Sequence, residues 1–242
     1  MADYKTVFSP PLQSGTLVRR SKRFLAYVNL HDGPEVIAHC MNTGSMMGLT
    51  EPGSRVWLSP QDKPNRKLKW TWEIASQGDV LVNVNTSAPN RIAAEVIQAN
   101  LISSLAGYRS LRREVRYGTN SRIDILLEDH PNDPRPCYVE LKNVTLVEND
   151  CAMFPDAVTA RGLKHLHELA LMVKEGSRSV LFFFVSRSDV KSFRAATHID
   201  PKYSEALTEV SKQGVEICAW TFPPSPQSIG LGREIPILLD PP

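Results

Sequence analysis

Cysteine is scarce in this chain and shows no spacing typical of a metal site or a disulfide framework. The 242 residues include four cysteines, with no Cys-x-x-Cys pair and no histidine at zinc-finger spacing. They are Cys40, Cys137, Cys151 and Cys218. We therefore expect reduced, structural thiols, which excludes a small disulfide-stapled protein and a structural zinc site.

Long hydrophobic runs and a strong net charge are absent as well. No apolar stretch approaches the ~20 residues that span a bilayer, and the first residues form no apolar signal core. We therefore expect a cytoplasmic protein with no membrane partner. The net charge of +2 gives no global field that would mark a nucleic-acid binder. Any basic surface has to be local.

The first 85 residues have the pattern of a small β-barrel. Short stretches rich in β-branched and aromatic residues alternate with Gly- and Pro-containing turns. Six strands are predicted, at 16–19, 23–29, 35–40, 55–59, 69–74 and 80–84. The fold class we predict is α/β (α+β), with a five-stranded OB-like barrel at 1–85 and a second domain at 86–242.

Two basic clusters interrupt the predicted barrel. Basic residues beside aromatic ones are typical of a nucleic-acid groove, because cations bind phosphates and rings stack on bases. The clusters are Arg19, Arg20, Lys22 and Arg23, and then Arg66, Lys67 and Lys69. Trp70 and Trp72 follow the second cluster, but their alternation with polar residues favours the barrel interior for both. A purely solvated basic surface is the alternative to DNA contact.

A helix is predicted at the start of the second domain. Asn85 or Ser87 can cap it, a proline occupies the first turn, and Gly107 ends it. Apolar residues recur between these points at helical spacing. Glu95 stands among them, and its plainest interpretation is a surface carboxylate that complements the helix dipole.

Two strands, at 121–127 and 137–142, carry the chemistry around which the chain is organised. Because side chains alternate along a strand, Asp124 lies opposite the face that carries Ile123, Ile125 and Leu127. Glu140 and Lys142 share one face of the next strand. Two carboxylates and one ammonium can therefore meet at the ends of neighbouring strands.

Such a trio suits metal-assisted phosphodiester cleavage. Mg²⁺ prefers oxygen ligands and is usually held by one or two carboxylates together with phosphate and water. It polarises the phosphoryl oxygen, and a nearby lysine can orient the attacking water. Asp124 and Glu140 are thus candidate ligands of Mg²⁺ or Mn²⁺, with Lys142 as the third catalytic residue. The alternative is an exposed hairpin in which Asp124 and Lys142 form an ordinary surface pair.

A second helix, running to about residue 174, follows these strands. Arg161 and Lys164 lie away from its apolar stripe and can reach phosphate, although a solvated face would look the same. His165 and His167 are two residues apart and make a poor metal pair. Beyond the helix we predict a buried strand at 179–185, a helix at 201–213, a strand at 215–221 and an edge strand at 235–239.

The order of helix, three strands, helix and strand resembles the core of the PD-(D/E)XK nuclease superfamily. In that superfamily an acidic residue on the first helix often joins the metal site, and Glu95 is the matching position here. The resemblance therefore implies a metal site of Asp124, Glu140 and Glu95.

Several strings along nearly the whole chain are similar to the sugar fermentation stimulation protein family. They lie at 8–12 (FSPPL), 22–26 (KRFLA), 42–44 (NTG), 88–91 (APNR), 121–124 (SRID), 138–146 (YVELKNVTL), 154–159 (FPDAVT), 161–166 (RGLKHL) and 198–203 (HIDPKY). The resemblance implies an OB-like domain on a PD-(D/E)XK nuclease-like domain, non-specific DNA binding, and a role in regulating maltose use.

Two functions of different classes remain open at this point. The first, and the primary prediction, is a DNA-binding protein that uses the nuclease-like domain as a platform. The second is a Mg²⁺-dependent nuclease, which the complete trio favours. A scaffold that binds neither DNA nor metal is disfavoured by the basic clusters. The sequence leaves open whether the DNA is single- or double-stranded and whether a homo-oligomer forms.

Overall fold

A closed β-barrel forms the N-terminal part of the chain in the computed structural model, which describes residues 4–62, 64–118 and 121–239. The chain begins with β1 (Lys5–Val7), which lies outside the barrel sheet. The strands of the barrel sheet are β2 (Gln13–Ser21), β3 (Leu25–Leu30), β4 (Glu35–His39), β5 (Arg55–Pro60), β6 (Trp70–Gln77) and β7 (Val80–Asn83). β2, β3 and β4 form a meander, β5 pairs with β2 and with β6, and a parallel pairing of β4 with β6 closes the barrel. The predicted OB-like arrangement is confirmed.

The barrel interior is apolar and contains Trp72. This side chain has no solvent exposure, and its indole N–H donates to the Ile74 carbonyl at 2.9 Å. Trp70 is half-buried and packs against the edge of the same core. Met46 and Leu49, from the long connection between β4 and β5, fill the remaining interior. The predicted core position is thus confirmed for Trp72, whereas Trp70 lies at the edge of the core and is only half-buried.

The second part of the chain is a five-stranded mixed sheet between two layers of helices. Its elements are α1 (Ala88–Gln98), β8 (Ser110–Tyr117), β9 (Ser121–Glu128), β10 (Cys137–Val144), β11 (Leu146–Glu148), β12 (Cys151–Phe154), α2 (Ala160–Lys174), β13 (Arg178–Val185), β14 (Ser192–Ala195), α3 (Pro201–Lys212), β15 (Glu216–Thr221), β16 (Ser228–Gly230) and β17 (Ile237–Leu238). The main sheet has the order β15-β13-β10-β9-β8. α1 covers one face, and α2 and α3 cover the other.

This order of elements confirms the predicted αβββαβ core. β8, β9 and β10 are antiparallel, whereas β13 runs parallel to both β10 and β15. β13 is buried along nearly its whole length, as its continuous apolar sequence predicts. A smaller sheet, β11-β12-β14-β17, is not predicted as a unit, because its strands are short. β17 lies in the predicted edge strand.

The helix α1 ends earlier than predicted. It stops at Gln98 because Asn100 adopts a left-handed conformation with φ of 57° and the Leu101 N–H bonds back to the Val96 carbonyl at 3.0 Å. Asparagine serves here as the C-terminal cap that glycine usually provides. The predicted stop at Gly107 is therefore wrong by several residues, and a short 3-10 turn (Ser103–Leu105) fills the interval.

The two parts of the chain are joined by more than the covalent connection. β1 pairs with β16 in a separate two-stranded sheet, so the first strand is attached to the second part of the chain and not to the barrel. On another side, the Asp156 carboxylate accepts hydrogen bonds from Ser45 Oγ at 3.1 Å and from the Met46 N–H at 3.2 Å. The division at residue 85 remains a prediction.

None of the helices within the described ranges is long and apolar enough to cross a membrane.

Candidate metal and phosphate site

The strands β9 and β10 separate at Asp124, and this separation forms the candidate site. Their ladder ends at the pair Ile125 and Val139. Beyond that pair, Asp124 Oδ2 accepts a hydrogen bond from the Leu141 N–H at 2.7 Å, so the carboxylate replaces a backbone partner. On its other side, Asp124 Oδ1 accepts from Asn90 Nδ2 of α1, also at 2.7 Å. Two donors from different elements thus fix this carboxylate.

The two faces of β9 exchange at Asp124, which the sequence pattern does not predict. Ile123 packs against α2 and α3, whereas Ile125 and Leu127 pack against α1, so the prediction that all three share one face is wrong. The ladder between β8 and β9 omits the pair Glu114 and Asp124, and Glu114 has φ of 55°. A non-glycine residue in this conformation within a strand is uncommon and occurs preferentially at functional sites.

Glu140 lies next to this gap and is almost completely buried, with 3% of its side chain exposed. Lys142 Nζ lies 2.7 Å from Glu140 Oε1, and His165 Nδ1 of α2 contacts the same oxygen. Glu140 Oε2 is also buried and has no hydrogen-bond partner among the described residues. Buried carboxylate oxygens normally have partners, so this atom is available to a ligand.

The two carboxylates influence each other's ionisation. Burial and the nearby Glu140 charge raise the pKa of Asp124 from 3.8 to about 6. Burial would also raise the pKa of Glu140, but the hydrogen bond from His165 and the charge of Lys142 hold it below its ordinary value. Two negative charges at this site therefore repel each other, and a cation between them would relieve that repulsion.

The donor set fits a hard divalent cation. Asp124 and Glu140 offer carboxylate oxygens, and no described residue hydrogen-bonds to Glu140 Oε2. Within 4–62, 64–118 and 121–239, no three His, Cys, Asp or Glu residues are close enough to hold a metal by themselves. Water and phosphate oxygens would have to complete the coordination, as they usually do for Mg²⁺.

A cavity of about 570 Å³ opens beside Asp124 and His165. Its wall carries three cationic side chains, Arg122, Arg161 and Lys164. Lys164 is oriented by Ser121 Oγ, to which its Nζ donates at 3.1 Å. Asp124 and Glu114 are the carboxylates that line this cavity, and Glu140 lies close enough to Asp124 to affect its ionisation. Carboxylates and cations together suit a phosphate group accompanied by a metal ion.

Two residues of this site, Asn90 and His165, are not predicted from the sequence. Asn90 is the α1 residue that reaches Asp124, and His165 is the α2 residue that reaches Glu140. Both occur in strings that carry the family resemblance, at 88–91 and 161–166. Those strings are the signal that could have identified them.

Glu95 lies on another face of α1, and the prediction that it joins the metal site is wrong. Its carboxylate accepts hydrogen bonds from Tyr4 and Thr6 at the start of the chain and from Arg91 at 2.7 Å. It is 41% exposed. Because Glu95 follows Asn90 by five residues, the helix turns it well away from Asp124. Its role is to hold the N-terminal segment on α1.

The basic clusters of the barrel lie in two connections. Lys22 and Arg23 form the tip of the turn between β2 and β3, with φ of 50° and 65°. Arg66, Lys67 and Lys69 lie in the connection between β5 and β6. Both connections lie at one end of the barrel. Leu25, just after the first connection, pairs with His39, and His39 pairs with Thr71, just after the second. Arg66 of the second connection donates to the Thr71 hydroxyl at 2.7 Å.

Two arginines of the first cluster have partners within the protein. Arg20 donates to the carbonyls of Arg23, Asn42 and Gly44 at 2.7–3.0 Å, which pins the 42–45 segment. Arg19 stacks over the Tyr27 ring at 3.5 Å. The arrangement of Arg20 disfavours its predicted phosphate contact, because its donors already serve backbone carbonyls.

Comparisons with known proteins find matches that cover most of the chain. The model for the SfsA N-terminal OB domain matches residues 18–84, and the model for the sugar fermentation stimulation protein RE domain matches residues 87–228. The sugar fermentation stimulation protein homologue of Paramagnetospirillum magneticum is 50% identical over 229 residues, covering 94% of this chain and 96% of its own. The Shewanella loihica homologue is 50% identical over 235 residues, covering 96% and 100%.

A solved structure agrees with these relatives. The structure of Pyrococcus furiosus SfsA in complex with Ca²⁺ has a TM-score of 0.86 and 27% sequence identity, covering 96% of this chain and 98% of its own. The family models, the curated relatives and this structure give the same assignment over both parts of the chain. The chain belongs to the sugar fermentation stimulation protein family.

Proposed function

We propose that this protein binds DNA with little dependence on sequence and cleaves its phosphodiester bonds with the help of a divalent cation. The observation that carries the proposal is the buried Glu140 Oε2, which has no hydrogen-bond partner among the described residues, near Asp124, which itself lines a cavity with three cations on its wall. A binding surface alone would not need buried carboxylates, because these repel phosphate.

Asp124 and Glu140 would hold the cation, with Mg²⁺ or Mn²⁺ as the expected ion. Such an ion supplies Lewis-acid polarisation of the phosphoryl oxygen and lowers the pKa of a water molecule. The Ca²⁺ described for the Pyrococcus furiosus relative supports a divalent cation for this chain as well. Ca²⁺ prefers oxygen ligands as Mg²⁺ does, although its geometry is looser.

The protein's own residues would position the substrate and the nucleophile. Lys142 Nζ has three protons, of which one serves Glu140, so the others can orient water or stabilise charge that develops on the phosphate. Arg161 and Arg122 on the cavity wall would bind phosphate oxygens, for which their planar guanidinium groups are suited. Lys164 adds a point charge held by Ser121.

The barrel would contribute the larger part of the affinity for DNA. OB barrels use the loop after the first strand and the loop between the fourth and fifth strands to bind nucleic acid. In this chain those loops carry Lys22 and Arg23 and then Arg66, Lys67 and Lys69. Contacts through Asp156 tie the barrel to the segment that leads into α2, and Arg161 lies in the first turn of that helix.

Binding without cleavage is the second candidate function, and the two basic loops favour it independently of the carboxylates. The regulation of maltose use that the resemblance implies would be compatible with either function. It requires a separate test.

Cleavage of mixed substrates by the purified protein tests the proposal. Single-stranded DNA, duplex DNA and RNA would be incubated with Mg²⁺, with Mn²⁺ and with a chelator. We expect cation-dependent cleavage of DNA, lost in Asp124→Asn, Glu140→Gln and Lys142→Ala and retained in Glu95→Gln, which is the matched control on α1. Binding of DNA without cleavage under all conditions would leave the second function. Equal cleavage by all variants would place the catalytic site elsewhere.

A further inference from the structure

His165 is a buried residue of α2 to which the sequence assigns no role, and it contacts the candidate metal site directly. Its residue exposure is 6%. Its Nδ1 contacts Glu140 Oε1, the oxygen that Lys142 Nζ also approaches at 2.7 Å. Two donors from different elements therefore converge on one oxygen of the carboxylate, and the other oxygen has no partner in the part of the chain that the structure describes.

The surroundings of His165 determine where its proton lies. Arg161 Nε donates to His165 Nε2 at 3.4 Å, and an arginine side chain can only donate. Nε2 is therefore the acceptor nitrogen, and the proton of a neutral imidazole lies on Nδ1, directed at Glu140. Lys142 Nζ lies 3.2 Å from the same Nδ1. Because both nitrogens carry protons, Lys142 donates its hydrogen bond to Glu140 and not to the imidazole.

The second donor restricts the rotation of the Glu140 carboxylate. The terminal torsion of a glutamate side chain is broad and roughly two-fold, so one lysine on a flexible stem could follow either oxygen. His165 cannot follow, because α2 is packed on the sheet through Leu166 and Leu169. The imidazole therefore fixes Oε1 as the engaged oxygen, and Oε2 is the oxygen that has no partner among the described residues.

We propose that His165 is a positioning residue that holds Glu140 so that its Oε2 remains free for the divalent cation. The inference rests on the proposed function, because it assumes that a cation binds at Asp124 and Glu140. It extends that function by one residue outside the Asp-Glu-Lys trio. Partners that orient a metal-binding carboxylate typically contribute about 10–100-fold to metal affinity.

Three substitutions separate positioning from simple core packing. The amide nitrogen of asparagine lies near the position of Nδ1 of histidine, whereas the amide nitrogen of glutamine lies near the position of Nε2. His165→Asn therefore keeps the donor to Glu140, and His165→Gln loses it. His165→Leu keeps the volume and removes every polar atom.

Calorimetric titration of the full-length protein with Ca²⁺ provides a readout that does not depend on cleavage. We expect His165→Gln and His165→Leu to weaken Ca²⁺ binding by about 10–100-fold, and His165→Asn to restore it to within a few-fold of wild type. Thermal unfolding of each variant in the presence of a chelator shows whether it is folded. If His165→Leu does not fold, the difference in Ca²⁺ affinity between His165→Asn and His165→Gln still tests the positioning role.

The outcomes that contradict the inference are distinct from those that contradict the proposed function. Equal Ca²⁺ affinity in the wild type, the Asn variant and the Gln variant would make His165 a core residue and leave the proposed function intact. Failure of the wild type to bind Ca²⁺, Mg²⁺ or Mn²⁺ would overturn the proposed function and this inference together. Weakening by Asn and Gln to the same degree would also overturn the positioning role.

Discussion

Among single residues, Asp124 should influence the stability of the whole protein through its ionisation. Its pKa is raised from 3.8 to about 6 in the folded state by burial and by Glu140. The folded protein favours the protonated carboxyl, so this contribution to stability is complete below the ordinary pKa and is lost as the pH rises through 6. Above pH 6 the buried charge opposes folding.

Asp124→Asn should therefore stabilise the protein at pH 8 in the presence of a chelator. We expect an increase of about 1–3 kcal/mol in the free energy of unfolding at pH 8, which disappears near pH 4. The amide of Asn90 can reverse to pair with the new side chain, so no hydrogen bond need be lost. Urea unfolding at both pH values measures the difference, with the exposed turn variant Asp79→Asn as control. A wild type that is more stable than Asp124→Asn at pH 8 would contradict this account of the site.

Glu95→Gln tests whether Glu95 holds the N-terminal segment on α1 and takes no part in the metal site. Because Glu95 holds Tyr4, Thr6 and Arg91, the substitution should lower the free energy of unfolding by about 1 kcal/mol. Ca²⁺ affinity should not change, in contrast to Glu140→Gln. Calorimetric titration and urea unfolding of the two variants give both quantities, and a loss of Ca²⁺ affinity in Glu95→Gln would restore Glu95 to the metal site.

At the scale of elements, the faces of a strand were predictable where side chains simply alternate. The prediction was wrong where two strands compete for the same hydrogen-bond partners. The faces of β10 follow simple alternation, so Glu140 and Lys142 could be placed together from sequence. The faces of β9 exchange at Asp124, because the carboxylate replaces a backbone partner of β10 and Glu114 leaves the ladder of β8. Such local competition for hydrogen bonds leaves no periodic signal.

Helix faces were harder to predict than strand faces. An error of one residue in a helix rotates a side chain by about 100°. The sequence predicts correctly that Glu95 lies on α1. It does not show that Asn90, five residues earlier on the same helix, is the residue that faces β9. On α2 the spacing of His165 and His167 indicates only that they are a poor metal pair, and a buried histidine that orients a carboxylate gives no motif of its own.

The turn between β2 and β3 is the element on which DNA affinity should depend most clearly. Lys22 and Arg23 both have left-handed backbone conformations, so asparagine, which tolerates that conformation, is the suitable neutral replacement. We expect the double substitution by asparagine to weaken binding of every DNA sequence alike. The substitution should also reduce the steepness with which the logarithm of the binding constant falls with the logarithm of the salt concentration. We expect that slope to change by about 1–2, because each phosphate contact contributes about 0.9 to it.

Fluorescence anisotropy over a series of salt concentrations measures that slope. Lys212→Gln, an exposed basic residue at the end of α3, is the matched control for loss of a charge far from the barrel loops. An equal effect of both changes would mean that the turn is not a specific part of the DNA surface. An unchanged slope in the double variant would exclude phosphate contact by this turn.

At the scale of the whole molecule, the barrel and the mixed sheet should unfold together. Arg187 is 2% exposed and donates to Gln77 of the barrel at 3.0 Å, to the Thr145 carbonyl at 2.8 Å, and to Asp189. The Asn83 N–H donates to the Ser186 carbonyl at 3.0 Å beside it. Hydrogen bonds that cross between the two parts in this way couple their stabilities.

Scanning calorimetry of the wild type should show one cooperative transition. Arg187→Ala should lower its midpoint, because it leaves the buried Thr145 carbonyl and the Gln77 side chain without their donor, a loss of about 1–3 kcal/mol, while Asp189 is partly exposed and can be solvated. Asp79→Asn again serves as control. Two resolved transitions in the wild type, or an Arg187→Ala variant as stable as the control, would show that the parts fold independently.

The central claim is that Asp124 and Glu140 hold a divalent cation through Glu140 Oε2. Its most direct measurement is an anomalous difference map from a crystal of this protein soaked in Mn²⁺. We predict a peak within about 2.0–2.6 Å of Glu140 Oε2 and of an Asp124 oxygen. Absence of a peak at that position, while Mn²⁺ occupies other sites of the same crystal, would contradict the claim.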